Sequence, residues 1–504
     1  MEHFDVIIVG AGLSGIGAAR QMQDRCATKT FAILESRDAI GGTWDLFRYP
    51  GIRSDSDMYT MGYDSKPWRD PKAIADGPSI LSYIHEAAHE RDLGRHIRFG
   101  QRVTAASWSD KDARWTLETT ADGAVEARFS CNMLFVCSGY YSYESGYKPD
   151  FPGLEHFQGA VVHPQEWPRD LDYSGKKVVI VGSGATAMTL VPAMAETAGK
   201  VTMLQRSPTY VISLPAEDPI ANVMRKLLPE KLAYRWIRAK NIWLQRFIYR
   251  RTRVAPEKVK QQLLGQVRRQ LGPDYDVDKH FTPSYKPWDQ RLCLVPDADL
   301  FKALRSGRAE VVTDEIAEVT GQGIKLKSGQ TLDADVIVTA TGLNLKLLGG
   351  IAFQVNGQAV DFPQTYSYKG MMFSGVPNLI YTIGYINASW TLRSELVAEF
   401  VCRLVNHLDA CGAERCTPEL RAEDAAMGEQ LMIADFSPGY ILRGMDQFPR
   451  QGDRDPWRNT QNYKLDKEAL RNAPIDDGVL RFASVSGAGG GAADATPVEA
   501  RSAA

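Results

Sequence analysis

The chain predicts an α/β protein built on two Rossmann-like dinucleotide-binding domains with a helical insertion. Three observations carry this. Two glycine-rich turns each follow a short apolar run and open a helix-compatible stretch. A basic, aromatic-rich helical segment follows the second turn. At 504 residues the chain is too long for a single core and suits two or three domains. The expected division is a first nucleotide domain over 1–145 and a second over 146–334, with the insertion at about 217–285. The first domain then returns over 335–482 with a C-terminal region, and a small, polar, disordered tail occupies 483–504.

The first turn reads Asp5-Val-Ile-Ile-Val-Gly10-Ala-Gly12-Leu-Ser-Gly15. Val6 to Val9 is long enough for a buried parallel strand and too short for a helix. Gly10 allows the tight turn, Gly12 lets backbone approach a pyrophosphate, and Gly15 lets the helix pack on the strand. The helix then offers free N–H groups and its positive dipole end to phosphates. An acid about 20 residues further on should hold a ribose hydroxyl. Glu35, closing the second apolar run Phe31-Ala-Ile-Leu-Glu35, fits that place. A glycine turn without a ligand is the bland alternative, and the strand, helix and acid together argue against it.

The second turn reads Val178-Val-Ile-Val-Gly182-Ser183-Gly184-Ala185-Thr186-Ala187-Met188, with alanine at the third glycine position, as the pattern allows. Its following strand, Lys200-Val-Thr-Met-Leu-Gln205, ends without an acid and continues Arg206-Ser207. An acid there would repel a ribose phosphate, whereas an arginine pairs with it, which points to NADP(H) rather than NAD(H). A solvated surface arginine is the alternative. The natural assignment is FAD at the first turn and NADPH at the second.

Between the turns lies Phe157-Gln-Gly159-Ala-Val-Val-His163-Pro-Gln-Glu-Trp167-Pro168, and before it Gly41-Gly42-Thr-Trp-Asp-Leu-Phe-Arg-Tyr49-Pro-Gly51-Ile-Arg-Ser-Asp55. The first string resembles, at every fixed position, the fingerprint of type I Baeyer–Villiger monooxygenases, and the second resembles that family's second signature. The likeness runs to about residue 480. Asp45 to Tyr59, Pro287-Trp-Asp-Gln-Arg291-Leu-Cys-Leu-Val-Pro296 and Asn387-Ala-Ser-Trp390 are similar to the subgroup of mycobacterial ethionamide-activating monooxygenases. By themselves His163 and Trp167 read as packing residues. The resemblance implies that His163 acts at a distance, by locking domain geometry, and not as a proton donor.

What the resemblance implies is a flavin-monooxygenase fold and an NADPH- and O₂-dependent oxidation of ketones to esters or lactones through a C4a-peroxyflavin. Sulfide and thioamide oxygenation is implied with it. The flavin supplies the difficult chemistry and the protein supplies binding, orientation and charge. Arg291 occupies the place of the family's active-site arginine, a fixed cation that needs no proton bookkeeping. Asp55 matches the acid that orients it, although the two could also form a structural ion pair. Thr43, Trp44, Asp45 and Leu46 should line the flavin, with Ser14 at its pyrophosphate, Val103 near its adenine, and Arg53 and Ser54 beside them. Gln290 stands where several relatives carry a lysine that grips the NADP phosphate, so that phosphate should rest on Arg206 and Ser207 with softer discrimination. The stretch Asp335-Val-Ile-Val-Thr-Ala-Thr-Gly342 is expected to be the return strand of the FAD domain, or equally a plain buried strand.

Composition narrows the alternatives. A net charge of −2 gives no overall drive toward nucleic acid. Met1 leads directly into the first strand and no apolar run approaches a bilayer span, so the expected location is cytoplasmic. The seven cysteines, without a CxxC pair, argue against a disulfide framework, a metal site and a flavin disulfide reductase. In the helical stretch, Arg225, Lys226, Arg235, Arg238, Lys240, Arg246, Arg250, Arg251 and Arg253 interleave with Trp236, Trp243, Phe247 and Tyr249. A lid over the substrate channel with a solvated basic face is the preferred role, and weak contact with an anionic membrane surface the other. Two rivals stay open for the whole chain: a flavin monooxygenase restricted to N- and S-oxygenation, and a membrane-docked nucleotide-binding redox sensor. Substrate identity and oligomeric state are not legible.

Overall fold

The computed structural model describes residues 1–121, 124–290, 292–433 and 436–484. Two sheets organise the chain. In the first, nine strands pair among the described residues. Glu2–Val9 runs parallel to Phe31–Leu34 on one side and to Ala124–Val136 on the other, with Ile7 opposite Ala32 and Leu134. Val6, Ile7 and Ile8 are wholly buried, as a strand covered on both faces requires. An antiparallel meander, Arg102–Ser109, Arg114–Ala121 and Ala124–Val136, extends this sheet away from the glycine turn. Trp108 and Trp115 cross it at 5.6 Å between ring centres.

The second sheet is all parallel, in the order Ala309–Thr313, Lys200–Gln205, Lys177–Val181, Val336–Thr339 and Ala160–Val162. Here the structure corrects the expected return strand. Val336–Thr339 pairs with Lys177–Val181 and belongs to the second sheet, while the chain re-enters the first sheet at Ala352–Val355 and Leu379–Tyr381. A Val-Ile-Val-Thr run fits the interior of any parallel sheet, so its composition could not say which one.

Four helices, Pro219–Leu227, Glu230–Val254, Pro256–Leu271 and Val277–Phe281, fill the expected insertion. The C-terminal region mixes helix and short strands. Its long helix, Trp390–Cys411, packs on Leu13–Arg25, and short two-stranded ribbons surround it. Leu480–Ala483 pairs with Arg415–Pro418, so order extends to the start of the expected tail. From residue 485 the tail lies outside the described residues. No disulfide joins the described cysteines, and only Cys411 is exposed.

Candidate active site

The first glycine turn opens into a cavity of about 580 Å³. Backbone geometry explains its glycines. Gly10 has φ +103°, and a side chain on it would meet the Cys137 carbonyl at 2.8 Å. A Cβ on Gly15 would lie 1.8 Å from the Gly10 carbonyl oxygen, so only glycine lets the helix sit this close to the strand. Gly12 and Gly42 face each other across the mouth, where each added Cβ would meet the other's backbone.

The expected residues Gly10, Gly12, Ser14, Glu35, Thr43, Trp44, Leu46, Arg53, Ser54, Asp55 and Val103 all line this cavity. Glu35 is buried, and its carboxylate accepts the Ala11 N–H at 2.7 Å and the Arg37 N–H at 2.9 Å. Those bonds hold an acid rigidly at the end of the second strand, facing the space a ribose would enter. Gly15 keeps its expected packing place, and Asp45 takes another one. Gly15 lies behind the wall as a packing glycine, and the buried Asp45 carboxylate turns away to ion pairs with Arg37 at 2.6 Å and Arg48 at 2.9 Å. Asp45 therefore braces the segment from behind.

Trp390, at the end of the Asn387-Ala-Ser-Trp390 loop expected to shape the pocket, lines the cavity with three tyrosines that were not anticipated. Tyr140 stacks on Trp390 at 5.1 Å and 9° between planes, and Tyr140 and Tyr141 share a hydroxyl hydrogen bond of 2.6 Å. The Trp390 indole N–H donates to Ser14 Oγ at 2.8 Å. Tyr143 meets Thr43 at 3.4 Å, and burial pushes its hydroxyl up to about 12. Three tyrosines within four residues just before the linker, Tyr140 to Tyr143, were the available signal.

At the second turn, Gly182 has φ +136° and an added Cβ would lie 2.3 Å from the Ala340 carbonyl oxygen. Gly184, by contrast, faces open space, as an approaching pyrophosphate requires. The helix Ala185–Met194 begins there without a side-chain cap, leaving its first N–H groups to a ligand or solvent. Ser183 donates to the Ser207 carbonyl at 2.9 Å, so these two expected residues come together, with Arg206 exposed between them. The side chains of the expected residues Ala187 and Met188 are buried in the second core, because the helix turns those positions toward the sheet. Gln205, where an acid was missing, is occupied by the His280 carbonyl at 2.8 Å and Thr313 at 2.9 Å.

One segment touches both turns. Gly41 to Leu46 walls the cavity, and further along Tyr49 packs against the second core beside Thr186. Gly51, at φ +73°, presses on the helix carrying the second turn, where a Cβ would meet Ala193 at 2.6 Å. Arg53 then pairs with Asp299 and Asp55 closes the segment at the cavity wall. The linker ties the same region from the other side. The buried His163 bonds the Gly342 carbonyl through Nε2 at 3.1 Å and accepts the Gln165 N–H at 3.2 Å. Burial lowers its basicity, which suits a neutral clamp and not a proton donor.

Glu230–Val254, expected as a lid, packs on the helix Met58–Met61, whose Met61 lines the cavity, and contributes no lining residue itself. Arg238 donates to the Tyr59 and Gly62 carbonyls and pairs with Glu395 at 2.5 Å, and Tyr249 meets Trp288 edge-on at 5.9 Å. Trp288 has φ +73°, a costly conformation for a bulky residue, in the loop Pro287–Gln290. Arg291, the expected fixed cation, lies outside the described residues. Among the described residues no cluster suits a metal ion.

A first cavity with a buried acid, beside a second open glycine turn, defines a two-dinucleotide oxidoreductase. The cradle fits FAD: glycine backbone at the phosphate end, an anchored acid for a ribose, and aromatic walls beyond. A family model described as flavin-binding monooxygenase-like matches residues 4–233. The chain is 53% identical over 483 residues to the FAD-containing monooxygenase EthA of Mycobacterium tuberculosis strain H37Rv, covering 96% of this chain and 98% of that one. It is 50% identical over 490 residues to the putative FAD-containing monooxygenase MymA of the same strain, covering 96% and 98%. A solved structure, oxidized steroid monooxygenase bound to NADP, superposes with a TM-score of 0.76 at 23% identity, covering 96% and 100%. The chain belongs to the flavin-binding monooxygenase-like family, among the FAD-containing monooxygenases of the EthA and MymA type. No described helix is long and apolar enough to cross a membrane.

Proposed function

We propose that the protein is an NADPH- and O₂-dependent FAD monooxygenase that converts ketones to esters or lactones by Baeyer–Villiger oxidation and also oxygenates sulfides or thioamides. The observation that carries this is the path of Gly41 to Asp55. It runs from the wall of the first cavity to the helix of the second turn and brings Asp55 back to the cavity. Bound at the first turn, FAD would supply hydride acceptance from NADPH and the activation of O₂. The protein's part is to hold and charge the site. Glu35 anchors the FAD ribose, Arg206 and Ser207 receive the NADP phosphate, and Arg291 supplies a positive charge whose place Asp55 fixes. A panel of linear, cyclic and aryl ketones plus a thioether, with NADPH consumption and product identity followed, tests the proposal. Sulfoxide without any ester would move the protein to the N- and S-oxygenating class, and hydrogen peroxide alone would favour a sensor.

Two substitutions probe the cofactor sites. Glu35→Gln keeps one acceptor and loses the charge, so the FAD dissociation constant should rise about ten- to hundredfold. Titration of the apoprotein with FAD, followed by flavin fluorescence, reads this; unchanged affinity would remove Glu35 from the site. Arg206→Ala should raise KM for NADPH about tenfold or more and leave NADH oxidation unaffected. An equal loss with both coenzymes would mean that Arg206 supports the fold and not the phosphate.

A further inference from the structure

The outer face of Glu230–Val254 is not explained by its packing on Met58–Met61. Along Glu230–Val254, Leu232, Trp236, Trp243, Phe247 and Val254 recur four and seven residues apart, which places them in one stripe. They face outward: Trp236 is 59% exposed, Trp243 61% and Val254 73%. Trp243 and Phe247 stack on each other at 5.2 Å and 11°, with no core beneath them. The preceding helix Pro219–Leu227 adds Ile220, Val223 and Leu227, the last 76% exposed. A solvated basic face would not carry this much large apolar surface in one place.

The charges around the stripe select its partner. Helical spacing sets Arg235, Arg246 and Arg250 on one flank and Lys240 and Arg251 on the other. Arg235, Arg246 and Arg250 are exposed. Three cations serve the fold: Arg238 is buried against Glu395, Lys240 pairs with Asp218 and Arg253 with Asp289, which leaves Arg235, Arg246, Arg250 and Arg251 along the stripe.

We infer that this face docks the protein on an anionic lipid bilayer, with the tryptophans and aliphatic side chains entering the headgroup boundary and the arginines meeting lipid phosphates. A stripe of aromatic and aliphatic residues between basic flanks is the pattern of a helix lying in a membrane interface. A second copy is a poor occupant, because a two-fold contact would set one row of arginines against another. Nucleic acid is also poor, since Leu227, Leu232 and Val254 offer bases nothing to stack on.

The test uses the FAD-loaded full chain and vesicles of phosphatidylcholine alone or mixed with phosphatidylglycerol, separated by sedimentation. Binding is expected only to the mixed vesicles, weakening with salt. The Arg246→Gln/Arg250→Gln variant should bind about fivefold more weakly per charge removed. Trp236→Ser/Trp243→Ser should abolish sedimentation. Both variants should retain the wild-type flavin spectrum and NADPH oxidation, because these side chains point away from the site. The inference is overturned if the wild type stays in solution with the mixed vesicles, or binds both kinds equally. It is also overturned if either variant binds like the wild type, or if this face instead drives a dimer that Trp236→Ser/Trp243→Ser dissolves.

Discussion

Arg291→Ala is expected to lower ester formation from ketones about a hundred- to a thousandfold, while NADPH still reduces the flavin. The two halves of that expectation separate chemistry from binding. Hydride transfer to the flavin needs the nucleotides brought together, which is the work of the glycine turns and of the segment between Gly41 and Asp55. Oxygen insertion needs a fixed positive charge where negative charge builds up, in a site from which water is excluded. Neutral substitutes at position 291 remove that charge and leave both glycine turns intact. Arg291→Lys should recover only part of the activity, since an ammonium lacks the planar fork that a carboxylate such as Asp55 can orient. Asp55→Ala should cost less than Arg291→Ala, because it loosens the charge without deleting it. Stopped-flow reduction by NADPH and gas chromatography of the product read the two halves separately. Undiminished ester from Arg291→Ala would overturn the assignment. Loss of flavin reduction in step with ester would show that the residue serves NADPH binding instead.

The parts of this molecule that a sequence displays are those whose chemistry is local. Gly10, Gly15 and Gly182 are forced by backbone clashes within one turn or with a neighbouring strand, so their spacing announces them. Glu35 follows because strand length fixes its distance from that turn. Helix phase was legible but not used at Met188, which points into the core. Partnership between distant segments was not legible at all. Nothing local in Val336–Thr339 says which parallel sheet it joins, and nothing near Trp390 says that it will stack on Tyr140. Arg238 shows the same limit more sharply. In a run of exposed arginines and lysines it looks like one more solvated cation, yet it is 5% exposed, because the helix turns it toward a carboxylate 157 residues away.

That buried pair makes Arg238→Met the substitution with the largest expected cost to stability, about 3–5 kcal/mol. The guanidinium donates to the Tyr59 carbonyl at 2.9 Å and the Gly62 carbonyl at 2.7 Å, as well as pairing with Glu395. Removing it strands a buried carboxylate and two carbonyls and loosens Glu230–Val254 from the helix Met58–Met61 beneath it. Burial pushes the Glu395 carboxyl up from 4.5 to about 7, and Arg238 is the main group opposing that rise. The sign of the pH effect follows. The folded state holds the Glu395 proton more tightly than the unfolded chain, so its contribution is fully present below about pH 4.5 and is lost as pH rises through about 7. Without Arg238 the carboxyl rises further and ionising it costs more. The gap in Tm between wild type and Arg238→Met should therefore widen from about pH 5 to about pH 8. Glu395→Leu in the Arg238→Met background should narrow the gap again and flatten its pH dependence, because an apolar pair has no charge to strand. Calorimetry of the FAD-loaded proteins across that range decides it. A constant gap would mean that the cost lies in lost packing and the two carbonyls, with the Glu395 charge contributing nothing.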